Sequence, residues 1–262
     1  MKDGGRDWDP GAYARFRDLR LRPALDLLIR VEAPPAGAVV DLGCGDGAVG
    51  PALRARFPKR RLLGIDGSAA MLAQARGYDA TERADIAAWA PAEPVAVLYS
   101  NAALHWLGRH EALLPRLLGL VVPGGTLAVQ MPRQFEAPSH RLLRDLAAEM
   151  FPGRFPDSAP GRWVAPVAPP AAYHRLLAPL ARVEAWETEY LQPLAPVAEG
   201  HPVRAFTQST TLRPYAERLA EGELAEFLAA YDDALAIAYP AEADGTVLFP
   251  FRRLFLIAVR PL

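Results

Sequence analysis

Short apolar runs alternate along the chain with longer stretches in which apolar residues recur at helical spacing. Such runs are typical of buried strands, and helices between successive strands are typical of a parallel sheet with helices on both faces. The pattern therefore predicts an α/β fold. Strands are predicted for the run that ends at Asp41 and over 62–66, 95–100, 126–130, 183–190 and 249–259. Helices are predicted over 21–31, 49–57, 68–75, 110–120, 203–219 with a break near 213–214, and 223–239.

Capping and turn residues mark the ends of several elements. Ser68 is predicted to cap the helix that follows it, and Pro123-Gly124-Gly125 to form a turn before a strand. Prolines crowd the stretch 151–179, which disfavours helix over most of it and predicts a loop or lid. Asp244-Gly245 predicts a turn into the last apolar run, 249–259. We expect that run to close the sheet as an antiparallel edge strand.

The first strand is followed by glycines at alternate positions, Gly43 and Gly45, and the second strand ends in Asp66. Glycine has no β-carbon, so the backbone can turn sharply from strand to helix while a ligand lies against it. An acid at the end of the second strand is placed to bind both hydroxyls of a ribose. The spacing therefore predicts a nucleoside site.

Two cofactor classes compete for this site. Gly43-x-Gly45-x-x-Ala48 also fits the fingerprint of dinucleotide-binding proteins, with alanine in the third place. Asp41, two residues before Gly43, would repel a pyrophosphate but would attract the amino group of a ligand with a cationic sulfonium. We therefore favour S-adenosylmethionine over a dinucleotide.

The composition indicates one large domain. The chain has 262 residues, of which 51% are hydrophobic, and this allows a large buried core. We expect a single domain over 1–262, with a cofactor-binding half over 1–132 and lid, cap or substrate-binding insertions over 133–182 and 200–243. The 29 basic and 30 acidic residues are spread along the chain, so no electrostatic footprint for nucleic acid is evident. The expected partner is a small molecule.

Export and membrane signals are absent from the sequence. Segment 1–10 has no apolar signal-like region, and no apolar run approaches the roughly 20 residues that a membrane span requires. We expect a cytoplasmic monomer or dimer with no membrane partner. Cys44 is the only cysteine, and its place between two glycines favours a small apolar filler over a nucleophile. No spacing of His, Cys, Asp and Glu indicates a metal site.

Segments over most of the chain resemble one enzyme family. The sequence is similar to the trans-aconitate methyltransferases, a branch of the class I S-adenosylmethionine-dependent enzymes that esterify a small tricarboxylate. The glycine loop is common to many methyltransferases, whereas segments 128–132, 212–214 and 250–255 are specific to this branch. The other matching segments are Trp8-Asp9-Pro10 with Tyr13, Arg22-Pro23-Ala24, 41–45, Gly64-Ile65-Asp66 with Ser68 and Met71, Asp85-Ile86, 100–104 with Trp106, His140, Pro202-Val203, Thr210 and Tyr239-Pro240.

The resemblance implies a fold and a cofactor. The fold is Rossmann-like, with a mostly parallel seven-stranded sheet, an antiparallel C-terminal edge strand, helices on both faces and a helical cap. The cofactor is S-adenosyl-L-methionine, and S-adenosyl-L-homocysteine is its product. The implied cofactor-binding residues are Trp8, Tyr13, Arg22, Asp41, Gly43, Gly45, Asp66, Gly67, Met71, Asp85, Ile86 and Asn101.

Some of these residues also have a purely structural interpretation. Trp8 and Tyr13 either fold over the cofactor or make ordinary aromatic packing contacts. Arg22 either meets the carboxylate of the cofactor or begins a helix. Asp85 either accepts from the adenine amino group, with Ile86 packed on the ring, or caps the next turn.

The implied reaction explains why no catalytic triad is visible. A carboxylate with a pKa of about 4 is ionised at neutral pH, so methyl transfer to it needs no general base. The carboxylates of the tricarboxylate substrate would be held by arginines, because the planar guanidinium can bind a carboxylate through two hydrogen bonds. Each of these arginines could instead be an ordinary surface residue. The expected catalytic residues are Asn101, His105 and Trp106. The expected substrate-binding residues are His105, Gln130, His140, Arg213, Arg252 and Arg253, with capping or packing as the alternative for His140.

The chain departs from the family at a few positions, and these concern the substrate more than the cofactor. The family usually has glutamine at His105, proline at Asp46, serine at Gly67 and tryptophan at Phe206. A second hypothesis is therefore a methyltransferase that acts on a hydroxyl, amine or carbon of a secondary metabolite, with His105 as base. A third is a sensor that binds the cofactor without catalysis.

Overall fold

The computed structural model describes residues 17–156, 164–208 and 210–262, and within them seven strands form one sheet. The strands are β1 (Val39–Leu42), β2 (Leu62–Asp66), β3 (Ala80–Arg83), β4 (Val95–Asn101), β5 (Val121–Pro132), β6 (Arg182–Leu194) and β7 (Val247–Val259). Their order is β3-β2-β1-β4-β5-β7-β6. Pairing is parallel from β3 to β5 and antiparallel between β5 and β7, so the predicted α/β class with a mostly parallel sheet is confirmed.

Helices connect and flank these strands. They are α1 (Arg17–Leu28), α2 (Gly50–Arg56), α3 (Ala69–Leu72), α4 (His110–Gly119), α5 (Pro138–Met150), α6 (Pro170–Leu177), α7 (Pro202–Thr207), α8 (Arg213–Ala216) and α9 (Glu221–Ala238), with a 3₁₀ turn over Leu104–Trp106. Ser68 caps α3 as predicted, because its hydroxyl accepts from the Met71 N–H at 3.3 Å. The helix ends at Leu72, three residues short of the predicted end at 75.

The final strand is antiparallel as predicted, but the prediction that it forms the edge of the sheet is wrong. β7 lies between β5 and β6, and β6 is the edge strand. The residues of β7 from Arg253 to Ala258 are buried on both faces, as suits an interior strand. In β6, exposed residues recur over most of its length, which suits an edge.

The predicted turn at Pro123-Gly124-Gly125 lies inside a strand. β5 begins at Val121, and its register on β4 shifts between the Val95 and Val97 pairs, which places an irregular bulge at these residues. Gly124 has a φ of +73°, a conformation that glycine adopts without strain. The chain therefore bends within the ladder instead of leaving it.

Two helical predictions need correction. The stretch 151–179 contains α6, which begins at Pro170, because proline is tolerated in the first turn of a helix. Residues 157–163 of that stretch lie outside the described part of the chain. The segment predicted as helix over 203–219 forms the two short helices α7 and α8, and the interruption comes before Arg213 rather than at it.

The chain divides into two compact units. The first, called the sheet unit, comprises the chain up to Pro132, Pro166–Thr188 and Arg253–Leu262. Within it α1 is tied to the sheet by the Tyr99 hydroxyl, which donates to the Ala24 carbonyl at 2.6 Å. The second, called the helical unit, comprises Arg133–Ala165 and Glu189–Arg252. Its helices α5 and α9 are joined by the Tyr231 hydroxyl, which donates to the Ser139 carbonyl at 2.6 Å. In the described part of the chain, no helix combines the length and apolarity needed to cross a membrane.

Candidate functional site

A cavity of about 300 Å³ opens at the carboxyl ends of β1, β2 and β4 in the sheet unit. In open parallel sheets this edge is where ligands bind. Several residues that the sequence analysis assigned to the cofactor or to catalysis line it: Asp41, Gly43, Gly45, Asp66, Gly67, Met71, Ile86, Asn101 and Trp106. Lining residues that it did not assign to the site include Cys44, Ala48, Val49, Ser68, Ala102, Ala103 and Leu107.

The two predicted loop glycines are required for different reasons. Gly43 has a φ of +82°, and a β-carbon there would overlap the β-carbon of Ala103. Gly45 has a φ of +54°, but an added β-carbon would meet no described atom within 4 Å. Gly43 therefore permits close backbone packing, whereas Gly45 leaves open space beside the cavity.

Asp66 is held by the backbone at the mouth of the cavity. Its Oδ2 accepts from the Gly45 N–H at 2.9 Å, and its Oδ1 accepts from the Ser68 N–H at 2.8 Å. Each carboxylate oxygen has more than one lone pair, so both can still accept from a ligand. The side chain is thus fixed in orientation and keeps capacity for two vicinal hydroxyls.

Asp41 is 1% exposed and carries a partner that the sequence analysis missed. The Tyr78 hydroxyl donates to Asp41 Oδ2 at 2.6 Å. Burial raises the pKa of Asp41 from 3.8 to about 7, the bond from Tyr78 lowers it, and the nearby charge of Asp66 raises it. This carboxyl is therefore poised between its two protonation states near neutral pH, and a cationic ligand group would favour the ionised one.

Cys44 lies in the same loop and fits the prediction of a filler. It is buried, and its burial beside Asp41 and Asp66 raises the pKa of the thiol well above its usual range. A thiol in this environment stays protonated, so it is a poor nucleophile.

A polar cluster extends from the cavity across strands β4, β5 and β7. Asn101, at the end of β4, is the register partner of Gln130 on β5, so their side chains leave the same face. Oδ1 of Asn101 and both amide atoms of Gln130 are buried and have no hydrogen-bond partner among the described residues. Arg253 on β7 pairs with Pro132, two residues after Gln130, and so shares that face. Arg253 is 4% exposed. Asn101, Gln130 and Arg253 are called the acceptor cluster below.

Other predicted residues of the sheet unit stand apart from the described cavity lining. Asp85 is exposed, and its Oδ1 accepts from the Ala87 N–H at 3.0 Å, which is the capping arrangement. Arg22 is exposed on α1. His105 is half-buried, with its ring centroid 4.6 Å from that of Trp106. Trp8 and Tyr13 lie outside the described residues.

The remaining predicted residues belong to the helical unit and are engaged there. His140 is buried, with Nδ1 3.0 Å from Ser139 Oγ and Nε2 2.9 Å from Thr211 Oγ1. Arg213 Nε donates to Glu217 Oε1 at 2.7 Å, and Arg252 Nη2 lies 3.5 Å from Glu189 Oε2. Arg252 is half exposed, as alternation along β7 requires beside the buried Arg253.

The cavity fits S-adenosyl-L-methionine on the chemistry of its lining. Asp66 has acceptor capacity that suits vicinal hydroxyls, Asp41 has a carboxylate that suits an ammonium group, and the apolar side chains of Met71 and Ile86 suit a purine ring. Open space beside Gly45 leaves room for the ligand against the backbone. A pyrophosphate would face three carboxylates here, those of Asp41, Asp46 and Asp66, so the fit is poor for a dinucleotide.

Comparisons with known proteins agree with this site. The family described as "Methyltransferase domain" matches residues 39–125. A protein of Azoarcus sp. (strain BH72) named trans-aconitate 2-methyltransferase is 45% identical over 258 residues, which are 97% of this chain and 99% of that protein. One of the same name from Paracidovorax citrulli is 46% identical over 261 residues, covering 97% and 98%. The YcgJ protein of Bacillus subtilis shares the fold, with a TM-score of 0.57 at 10% identity, over 92% of this chain and 99% of its own.

Proposed function

Because this chain belongs to the trans-aconitate 2-methyltransferase family, we propose that it methylates a carboxylate of a small polycarboxylate such as trans-aconitate. Membership of this family makes it an S-adenosyl-L-methionine-dependent methyltransferase, and the fold and cavity agree with that cofactor. The acceptor is the proposed part, and the acceptor cluster is the observation that carries it.

The residues of the cavity suggest how the cofactor is held. Asp66 accepts from the ribose hydroxyls, Asp41 receives the ammonium group, and Ile86 and Met71 pack against the adenine ring. When bound, the cofactor supplies a methyl group activated by a cationic sulfur. Asp85 already accepts a hydrogen bond from the Ala87 N–H and would have to bind the adenine amino group as well. Its role in adenine binding therefore stays a prediction.

The acceptor cluster supplies donors and a positive charge. Asn101 and Gln130 have amides on the same face of the sheet. The unsatisfied Nε2 of Gln130 can donate to a carboxylate oxygen, whereas the unsatisfied Oδ1 of Asn101 and Oε1 of Gln130 accept and need a donor. An unsatisfied buried amide costs about 1–3 kcal/mol, so a site that retains one is suited to a ligand that satisfies it. Arg253 adds a buried guanidinium that can bind a carboxylate through two hydrogen bonds. The Gln130 amide nitrogen and the Arg253 guanidinium therefore suit an anionic acceptor that carries a carboxylate.

The proposed step needs no proton transfer. An ionised carboxylate oxygen of the acceptor would form a bond to the methyl carbon as the bond from that carbon to sulfur breaks, and the electron pair of the broken bond would stay on sulfur. The products are a methyl ester and S-adenosyl-L-homocysteine. What the protein contributes is alignment and exclusion of water, which can lower the barrier by roughly 7–11 kcal/mol.

The roles of the other predicted residues stay predictions. Arg213 and Arg252 already pair with glutamates, and both nitrogens of His140 are bonded to hydroxyls. Arg22 is exposed, and His105 is the one histidine that adjoins a residue lining the described cavity. His105 supports the second hypothesis, in which a hydroxyl or amine acceptor needs a base.

The proposal is tested by incubating the purified protein with S-adenosyl-L-methionine and citrate, isocitrate, cis-aconitate or trans-aconitate. Mass spectrometry should detect a methyl ester that mild base removes, formed fastest on trans-aconitate. Absence of ester on every acid, with S-adenosyl-L-homocysteine still bound, would contradict the proposal. Tight binding with no transfer to any acceptor would support the sensor hypothesis.

A pair of variants tests the acceptor cluster. Gln130→Leu keeps the volume but removes both amide atoms, and should lower kcat/KM for the acid by about 100-fold without changing the affinity for S-adenosyl-L-homocysteine. Gln192→Leu is the matched control, since Gln192 is also a buried glutamine on a strand. Equal losses in the two variants would count against an acceptor role for Gln130.

We further propose a cytoplasmic location and a monomeric or dimeric state. The single cysteine, which allows no disulfide within the chain, is typical of reducing compartments. Cell fractionation and light scattering of the purified protein test these two statements.

A further inference from the structure

The segment between α3 and β3 lies against the glycine loop at backbone distance. A β-carbon added at Gly47 would lie 2.6 Å from the Arg76 nitrogen, and one added at Gly77 would lie 2.7 Å from the Gly50 carbonyl carbon. One added at Gly50 would overlap the Arg76 carbonyl oxygen. Gly47 and Gly77 also have positive φ values of +80° and +91°. These glycines therefore allow a contact that other residues would prevent.

This backbone contact places Tyr78 next to β1. The Tyr78 ring lies so close to two glycines that a β-carbon on Gly50 or Gly64 would come within 3.1 Å of it. Its position leaves the hydroxyl 2.6 Å from Asp41 Oδ2, across 37 residues of sequence. Asp41 also lines the cavity, so Tyr78 bonds to a cavity residue without being among the lining residues itself.

The charges around Asp41 make this hydrogen bond important. Asp66 on β2 and Asp46 in the glycine loop are acidic, and the neighbouring Cys44 and Tyr99 are neutral. Burial and the charge of Asp66 both raise the pKa of Asp41 and so favour the protonated carboxyl. The hydrogen bond from Tyr78 lowers this pKa and favours the carboxylate. A protonated Asp41 would lose its charge attraction to an ammonium group.

We infer that Tyr78 is a positioning residue for the cofactor, whose hydroxyl holds Asp41 in the ionised form that receives the ammonium group of S-adenosyl-L-methionine. The inference rests on the proposed role of Asp41 in binding that group. Tyr78 acts through Asp41 and has no direct contact with the reacting atoms in this scheme. A role limited to packing would leave the affinity equally changed at every pH.

The test compares the affinity of Tyr78→Phe and of the unaltered protein for S-adenosyl-L-homocysteine by calorimetry across pH. This ligand carries the same amino group, and its own titration cancels in the ratio of the two affinities. The variant should bind about tenfold more weakly near pH 6, and the difference should vanish near pH 9, where both proteins have an ionised Asp41. Tyr99→Phe is the matched control, because it removes another buried hydroxyl of the sheet unit, one that donates to a backbone carbonyl.

The variant Asp41→Asn distinguishes the proposed role of Asp41 from that of Tyr78. It should weaken binding, and adding Tyr78→Phe to it should cause no further loss, since the bond no longer sets a charge. If Asp41→Asn binds as tightly as the unaltered protein, the proposed role of Asp41 fails and the inference fails with it. If Asp41→Asn weakens binding but the Tyr78→Phe ratio is the same at every pH, only the inference about Tyr78 is overturned.

Discussion

Asp41 in the sheet unit and His140 in the helical unit are both buried groups whose neutral forms are favoured by burial. Asp41 lines a cavity, and its carboxylate accepts a hydrogen bond from the Tyr78 hydroxyl. His140 is enclosed, and each of its ring nitrogens is bonded to a hydroxyl, from Ser139 and Thr211. Asp41 therefore borders a cavity that a ligand can enter, whereas both ring nitrogens of His140 already make hydrogen bonds within the protein.

This difference separates binding groups from structural ones better than burial alone. A buried polar group with satisfied atoms stabilises the fold, and its removal is felt in the free energy of unfolding. A buried charge beside a cavity costs stability until a ligand of opposite charge arrives, so its removal is felt in binding. The two residues should therefore respond oppositely to substitution and to pH.

The largest effect is expected for Asp41→Asn. The affinity for S-adenosyl-L-homocysteine should fall by about 100-fold or more, because the attraction to the ammonium group is lost. The free energy of unfolding of the ligand-free protein should rise by about 1–2 kcal/mol near pH 8, because a buried charge is removed. Calorimetry and urea unfolding measure the two quantities.

The pH dependence of stability gives the same comparison its sign. The folded pKa of Asp41, about 7, lies above its ordinary 3.8, so its contribution to stability is full at low pH and is lost as pH rises through 7. Asp145→Asn is the control, since Asp145 is an exposed acid of α5. A loss of stability in Asp41→Asn near pH 8 would place Asp41 with the structural groups.

The next effect concerns two adjacent arginines. Arg253 is buried in the acceptor cluster, whereas Arg252 is half exposed and close to Glu189. Arg253→Met should lower kcat/KM for the acid by about 100-fold, and Arg252→Met by less than about tenfold. Affinity for S-adenosyl-L-homocysteine, measured on both variants, shows that the cofactor site is intact. The reverse order would mean that the acceptor is bound in the helical unit.

His140→Asn should act on stability. It removes at least one buried hydrogen bond and should lower the free energy of unfolding by about 1–3 kcal/mol at pH 7. Burial and the Arg144 charge lower the pKa of His140 from 6.5 to about 3, so its stabilising contribution is present above pH 6.5 and lost as pH falls through 3. Urea unfolding should show a slope of up to about 1.4 kcal/mol per pH unit in that window, reduced in the variant.

The exposed His174 supplies the control for this prediction. His174→Asn should leave both the stability and its slope unchanged, because substitution of an exposed side chain changes the free energy of unfolding little. An unaltered slope in His140→Asn would show that other groups cause the acid sensitivity.

Local signals in the sequence predicted the cofactor side of the molecule well. The apolar run 62–66 is β2 with the predicted ends, and the glycines and acids around it line the cavity. Backbone conformation there is set by residues close in sequence, such as Gly43, Ser68 and Asp66, so a short pattern is sufficient. Family resemblance added Gln130 and Arg253, which the pattern alone did not indicate.

Features set by distant contacts were missed. Tyr78 reaches Asp41 through glycine contacts between segments far apart in sequence, and no periodicity marks such a contact. The place of β7 inside the sheet depends on which strand pairs with its other edge, and an apolar run reports burial but not neighbours. In the helical unit, Glu189 lies 63 residues from Arg252 and was missed for the same reason. Glu217 is only four residues after Arg213, so this pair could have been predicted from the helical i,i+4 spacing.

The smallest effect is expected for His105→Gln, which restores the residue usual in the family. His105 is half-buried next to Trp106, at the edge of the cavity, and it resembles Asp41 in being titratable near a ligand site. An ionised carboxylate acceptor gives up no proton, so the variant should keep kcat/KM within about threefold and should not become more pH-dependent. A hydroxyl or amine acceptor would need His105 as base. In that case His105→Gln should lose turnover at every pH, both below and above pH 7. Rates of S-adenosyl-L-homocysteine formation by the two proteins at several pH values therefore decide whether His105 acts on a ligand, as proposed for Asp41, or has a structural role, as His140 has.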